Sequence, residues 1–310
     1  MAIYIFGHKN PDTDSIIGSI LYAEFLNKKG KNAKAVKLGK LNNETKFVLE
    51  KFGVGFPETV NELPKNSEVI LIDHNEKTQT ISNIEDLKII GVIDHHKFNF
   101  KTENPLSIRA EPLGSSCSII YLIFKEQKYE LNEKEAGLLI SGIISDTLYF
   151  RSPTTTEKDK EIVEELNKIA NIKDIEKYAM EMFDAKSDLG DISAEEIIKM
   201  DYKEFEFGGE KYGIGVIETT NPDYILKRRD EIVKELSKIK ERDNLKGILF
   251  SVIDILNKHN KTIVSDSHEA EILRAIFDGK EIEHNVYFLG PVLSRKKQIV
   301  PKLEEHFKNK

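Results

Sequence analysis

Three short runs in the first third of the chain are almost continuously apolar: Ile3 to Phe6, Val69 to Ile72 and Ile89 to Ile93. Strands covered on both faces carry such runs, as in parallel sheets flanked by helices. Each run ends in polar residues, the first at Gly7-His8, the second at Asp73-His74-Asn75 and the third at Asp94-His95-His96. Elsewhere the spacing turns helical. Ser15 to Lys29 has Asp14 or Ser15 as N-cap and Gly30 as its stop, and Ser115 to Glu126 follows the same period. Glu133 to Leu148 is nearly all apolar through Leu138 to Ile144 and is expected to be buried, whereas Thr155 to Ala170 and Ile172 to Ala185 are amphipathic. Short apolar runs alternating with helical stretches predict an α/β domain built on a mainly parallel sheet.

Residues 188–192 read as a linker that separates a first domain, 1–187, from a second, 193–310. In the second part, Phe205 and Phe207 lead through Gly208-Gly209 into Tyr212 to Ile217, a hairpin signature. Tyr224 to Glu241 reads as one charged helix with a solvated face. Gly247 to Leu256, Thr262 to Ser265 and Asn285 to Leu289 read as strands, Glu269 to Phe277 as a helix, and Lys302 to Lys310 as an exposed terminal helix. The expected fold class is α/β, with a smaller α/β C-terminal domain after the parallel-sheet domain.

A length of 310 residues fits two domains of roughly 150 residues. The 46 basic against 53 acidic residues leave a net charge of −7, which is no footprint for nucleic acid or an anionic membrane, though a local basic pocket is compatible with it. The start, MAIYIFGHKNPDTDS, lacks the basic and long apolar segments of a signal peptide. The single Cys117 can form neither an internal disulfide nor a thiolate metal site, so a cytoplasmic location is expected.

Four of the eight histidines, His8, His74, His95 and His96, fall at predicted strand ends, and in open α/β sheets ligands gather there. His8 to Ser15 places one imidazole and two carboxylates on a loop whose Pro11 blocks regular helix. Asp12 and Asp14 there serve either as turn and cap residues or as ligands. Asp94 and Asp146 each close a long apolar run, where an ionised carboxylate is costly unless paired or bound to metal. Carboxylates with a few imidazoles and no thiolate suit Mn²⁺ first, with Mg²⁺, Co²⁺ or Zn²⁺ compatible. The carboxylates exceed what one ion needs, so two ions roughly 3.5 to 4 Å apart are expected, an arrangement common in phosphoryl hydrolysis.

The string GHKNPDTDS, with DHN at 73 to 75 and DHH at 94 to 96, resembles the DHH phosphoesterase superfamily. The run Ser294-Arg295-Lys296-Lys297-Gln298 is similar to the signature of family II, the manganese-dependent inorganic pyrophosphatases. The resemblance spans essentially the whole chain, without the nucleotide-sensing insert that some members carry. It implies that His8 and Asp12 hold one metal, that Asp14, His95 and Asp146 hold the other, and that Asp73 bridges them. It implies His96 as a proton donor facing substrate, and Arg295, Lys296 and Lys203 as phosphate clamps from the second domain, with the active site in the cleft between domains. A homodimer joined through the first domain is implied as well.

The activity expected is hydrolysis of pyrophosphate to two phosphates by a hydroxide bridging two metal ions, with additional Mg²⁺ arriving with the substrate. One alternative is an exopolyphosphatase or another DHH phosphodiesterase, although the glycine-rich GGGH-like motif typical of the nucleic-acid members is missing. Another is a non-catalytic, metal-dependent binding module. In a closed structural site, however, His96 and the basic run at 295 to 297 would have no role.

Overall fold

The run Ile3–Phe6 forms β1, a central strand of a six-stranded sheet in the computed structural model, which describes residues 2–102 and 104–308. Two units are present, Met1–Lys186 and Ser187–Lys310. In chain order the first contains α1 (Thr13–Lys28), β2 (Ala33–Lys37), α2 (Asn43–Lys51), β3 (Glu58–Thr59), β4 (Glu68–Ile72), β5 (Lys88–Asp94) and β6 (Ser107–Ala110). Four helices follow: α3 (Ser116–Glu126), α4 (Glu133–Thr147), α5 (Glu157–Ala170) and α6 (Ile175–Ser187).

The sheet order is β3-β2-β1-β4-β5-β6 and every pairing is parallel. The chain therefore builds outward from β1 on one side and then returns to its other side with β4. Connections leave β1 and β4 in opposite directions, which opens a crevice beyond their carboxyl ends. The three apolar runs became β1, β4 and β5, whose buried residues Phe6, Leu71 and Val92 share one core cluster. The strands not expected from the sequence, β2, β3 and β6, are short and partly polar. Such segments suit positions toward the sheet edges and lack the apolar run of a central strand.

Helix α1 begins earlier than the sequence suggested, because its N-cap is Asp12 and not Asp14 or Ser15. Asp12 Oδ1 accepts the Ser15 amide at 2.9 Å and Ser15 Oγ accepts the Asp12 amide at 3.2 Å, a reciprocal capping box. Gly30, at φ +77°, follows the last turn as expected. Helix α4 is buried along most of its length. Its Gly142 allows close approach, since a Cβ there would meet Cys117 Sγ at 2.5 Å and Asp14 Oδ1 at 3.0 Å.

The second unit contains α7 (Ala194–Lys199), β7 (Tyr202–Phe207), β8 (Glu210–Thr219), α8 (Pro222–Leu226), α9 (Arg229–Arg242), β9 (Gly247–Asp254) and β10 (His259–Ile263). It continues with α10 (Ser267–Phe277), β11 (Lys280–Glu283), β12 (Val286–Phe288) and α11 (Val300–Lys308). Its sheet runs β11-β12-β10-β9-β8-β7 and is antiparallel except for the β8/β9 pair. The β7/β8 hairpin turns at Gly208-Gly209, both at positive φ.

The single charged helix expected over 224 to 241 is instead two, α8 and α9. At the break Arg228 leaves helical geometry (φ −94°, ψ 11°) and its guanidinium donates to the Ile192 carbonyl at 2.8 Å. Helix α11 is entered through a π-helical turn, Arg295–Ile299. Asn309 and Lys310, expected in the terminal helix, lie outside the described residues. No helix among the described residues is long and apolar enough to cross a membrane.

Candidate metal centre and active site

The loop after β1 and the ends of β4 and β5 bring His8, Asp12, Asp73 and His95 to the crevice, and the ends of α1 and α4 add Asp14 and Asp146. Donor atoms of Asp14, Asp73, His95 and Asp146 all lie within 4.8 Å of one another, and so do those of His8, Asp12 and Asp73. Asp73 belongs to both groups and to a third with His95 and His96. His8 Nε2 lies 3.3 Å from Asp12 and 3.4 Å from Asp73, while His95 Nε2 lies 3.2 Å from both Asp73 and Asp146.

Local structure aims each donor. Asp73 follows β4 at φ +64°, a left-handed turn that Asp tolerates better than most residues, and its amide donates to the Ile93 carbonyl at 2.8 Å. Its Oδ1 accepts the Ser116 hydroxyl at 2.9 Å. Asp14 faces the start of α3, accepting the Ser115 hydroxyl at 2.6 Å and the Ser116 and Cys117 amides at 2.7 and 2.9 Å. Unpaired amides at a helix start favour an anion, so this carboxylate can remain charged where water does not reach it. His95 Nδ1–H donates to the Leu113 carbonyl at 2.9 Å, which turns Nε2 toward the carboxylates. Beyond Asp146, α4 is stopped by three successive left-handed residues, Leu148, Tyr149 and Phe150, with Thr147 Oγ1 accepting the Phe150 amide.

The electrostatics of this set are those of crowded anions sharing few cations. Burial pulls the His8 and His95 imidazoles down, but the close carboxylates outweigh it and push them up to about 10 and about 12. Burial, reinforced by Asp73, raises Asp14 to about 6, and burial together with Asp14 raises Asp146. Burial also acts to raise Asp73, yet His8 and His95 hold it below the usual carboxylate range. Buried His95 Nε2 nevertheless has no hydrogen-bond partner among the described residues. An orphaned ring nitrogen ringed by carboxylate oxygens, with its other nitrogen fixed on a carbonyl, fits a hard divalent cation such as Mn²⁺.

His96 is arranged differently. Its side chain is 56% exposed, and Nδ1 donates to Asp94 Oδ1 at 2.9 Å, a bond that raises its pKa. Asp94 is fully buried and its Oδ2 accepts the Asn75 side-chain Nδ2–H at 2.6 Å, so pairing accounts for this carboxylate. Asn75 Oδ1 in turn accepts the Asn99 amide at 2.7 Å, tying the DHN and DHH segments together. His74 lies outside the donor groups; Nδ1–H donates to the Ile72 carbonyl, and burial lowers its pKa. A cavity of about 350 Å³ opens on the site, lined by His8, Asp12, Asp73, His96 and Asp146 together with Glu76, Gln79 and Lys97. Ser115, Ser116 and the Leu113 carbonyl were not singled out from the sequence, and Asn75 entered only as part of the DHN string. The Gly114-Ser115-Ser116 start of α3 was the one available signal.

Lys203, Arg295 and Lys296 belong to the second unit. Arg295 donates to the Asp201 carbonyl and carboxylate, both at 2.6 Å, and to the Ile214 carbonyl at 3.4 Å. Lys203 pairs with Ile214 across the β7/β8 ladder, which brings these two residues to one end of that sheet. Lys296 is exposed on the π-helical turn, and Ser294 caps that turn by accepting the Lys297 amide.

Residues 2–143 match the DHH family N-terminal domain, and residues 180–306 match the DHHA2 domain. A probable manganese-dependent inorganic pyrophosphatase of Deinococcus radiodurans is 45% identical over 308 residues, 98% of each chain. A manganese-dependent inorganic pyrophosphatase of Methanocaldococcus jannaschii is 42% identical, covering 98% of this chain and 99% of the other. Among solved structures, one from Methanococcus jannaschii assigned to family II of the inorganic pyrophosphatases aligns at a TM-score of 0.64 and 40% identity, over 99% of both chains. An exopolyphosphatase-related protein of Bacteroides fragilis shares the fold at a TM-score of 0.51 and 15% identity, covering 99% of this chain and 93% of that one.

Proposed function

Because the chain belongs to the manganese-dependent inorganic pyrophosphatase family, we propose that it hydrolyses inorganic pyrophosphate to two phosphates at the cluster centred on Asp73. The observation that carries this reading is that one buried carboxylate, Asp73, belongs both to the donor group with His8 and Asp12 and to the one with Asp14, His95 and Asp146. On this reading two ions per subunit would be held, one by His8 and Asp12, the other by Asp14, His95 and Asp146, with Asp73 serving both. Manganese, when bound there, supplies charge neutralisation and acidifies a water for attack on phosphorus. Additional Mg²⁺ accompanies the substrate.

The chain's own side chains supply the rest. His96, held by Asp94 through Nδ1 and raised toward the protonated form, keeps a proton at Nε2 for the leaving oxygen. Arg295, Lys296 and Lys203 bind the phosphate oxygens, and Asp201 orients the planar guanidinium for that task. The deciding assay is phosphate release by metal-stripped protein refilled separately with Mn²⁺, Mg²⁺, Co²⁺ or Zn²⁺ and offered pyrophosphate, long polyphosphate or a dinucleotide. Turnover is expected to be fastest with Mn²⁺ on pyrophosphate. Release from polyphosphate or dinucleotide with none from pyrophosphate would sink the proposal.

A further inference from the structure

Glu44, in the first turn of α2, is fully buried and has no part in the chemistry above. Its Oε2 accepts the Thr13 hydroxyl at 3.0 Å and the Ser145 hydroxyl at 2.7 Å, with Lys186 Nζ 3.4 Å away. Its Oε1 has no partner among the described residues. Burying a carboxylate is costly, and leaving one of its oxygens unpaired makes it more so. Packing alone would be served better by an apolar residue.

The partners of Glu44 indicate what offsets this cost. Thr13 lies between Asp12 and Asp14 in the first turn of α1, and Ser145 immediately precedes Asp146 near the end of α4. A single carboxylate oxygen thus joins the two helix ends that bear three of the four clustered aspartates. Lys186, the last residue of the first unit, is the cation beside it.

We propose that Glu44 is a positioning residue of the metal centre. It holds the start of α1 and the end of α4 at the separation that lets Asp12, Asp14 and Asp146 converge, with Lys186 offsetting its charge. This rests on reading the cluster as a manganese centre. Neighbours that orient metal ligands typically change affinity by about 10- to 100-fold when removed.

The test titrates the metal-free full chain with Mn²⁺ by calorimetry, comparing the unmodified protein, Glu44→Gln and Ser145→Ala, and records the melting of each metal-free protein. Weakening of Mn²⁺ binding by about 10-fold or more in Glu44→Gln, with a smaller loss in Ser145→Ala, is expected. If Glu44→Gln fails to fold, Ser145→Ala decides, since it removes only one hydroxyl. A lowered melting temperature with Mn²⁺ affinity changed by less than about twofold would make Glu44 merely structural and overturn this inference alone. Failure of the unmodified protein to bind Mn²⁺ would overturn the metal centre and this inference together.

Discussion

Asp12 carries two obligations on one carboxylate: Oδ1 caps α1 through the Ser15 amide, while Oδ2 points at His8. Capping thus leaves Oδ2 available and does not compete with the ligand role proposed for Asp12. His96 shows the opposite economy, with Nδ1 committed to Asp94 and the ring otherwise half exposed. His96→Asn should lower kcat on pyrophosphate by about 10²- to 10⁴-fold and leave Mn²⁺ affinity nearly unchanged, as pre-steady-state kinetics alongside metal titration would show. His8 and His95, raised to about 10 and about 12, are imidazolium ions at neutral pH in the metal-free protein. Only a neutral imidazole can ligate, so Mn²⁺ must displace protons, and its affinity should rise as pH rises. Calorimetry in buffers of different ionisation enthalpy reads this directly. Heats independent of buffer, with an affinity flat in pH, would contradict the assignment.

The centre is made where element ends meet: the first turn of α1, the start of α3 and the end of α4 face the carboxyl ends of β4 and β5. That convergence depends on a close helix approach at Gly142. Gly142→Ala would force its Cβ against Cys117 and Asp14 and should cost about 1 to 3 kcal/mol of stability. Because α4 carries Asp146, weaker Mn²⁺ binding should accompany the lower melting temperature. In the second unit, the π-helical turn displays Arg295, Lys296 and Lys297 in succession, and such turns recur at functional sites. Arg295→Lys keeps the charge but loses the guanidinium fork held by Asp201, so KM for pyrophosphate should rise about tenfold or more, measured by steady-state phosphate release.

For the molecule as a whole, a net charge of −7 opposes a polyanionic substrate, so attraction must come from local positive charge. For the homodimer implied by the resemblance, the first domain offers β6, the exposed edge of the parallel sheet, where the Ile108 side chain is half exposed. Light scattering should give twice the 35.5 kDa chain mass, and Ile108→Lys should shift it toward the monomer. The central strands and the histidines and aspartates that follow them could be read directly from the amino-acid order. A strand buried on both faces must be continuously apolar, so the polar residue that ends it stands out. The edge strands β3 and β6, and β2 beside β3, left no such mark, being short and in large part polar. Nor did Glu44, Ser115 or Ser116, whose partners lie far along the chain; Glu44 and Ser145 are 101 residues apart. Periodicity reports which face of an element is buried. Which side chains meet across elements is set by packing and by the need to satisfy each buried polar group, and these act only once the chain has folded.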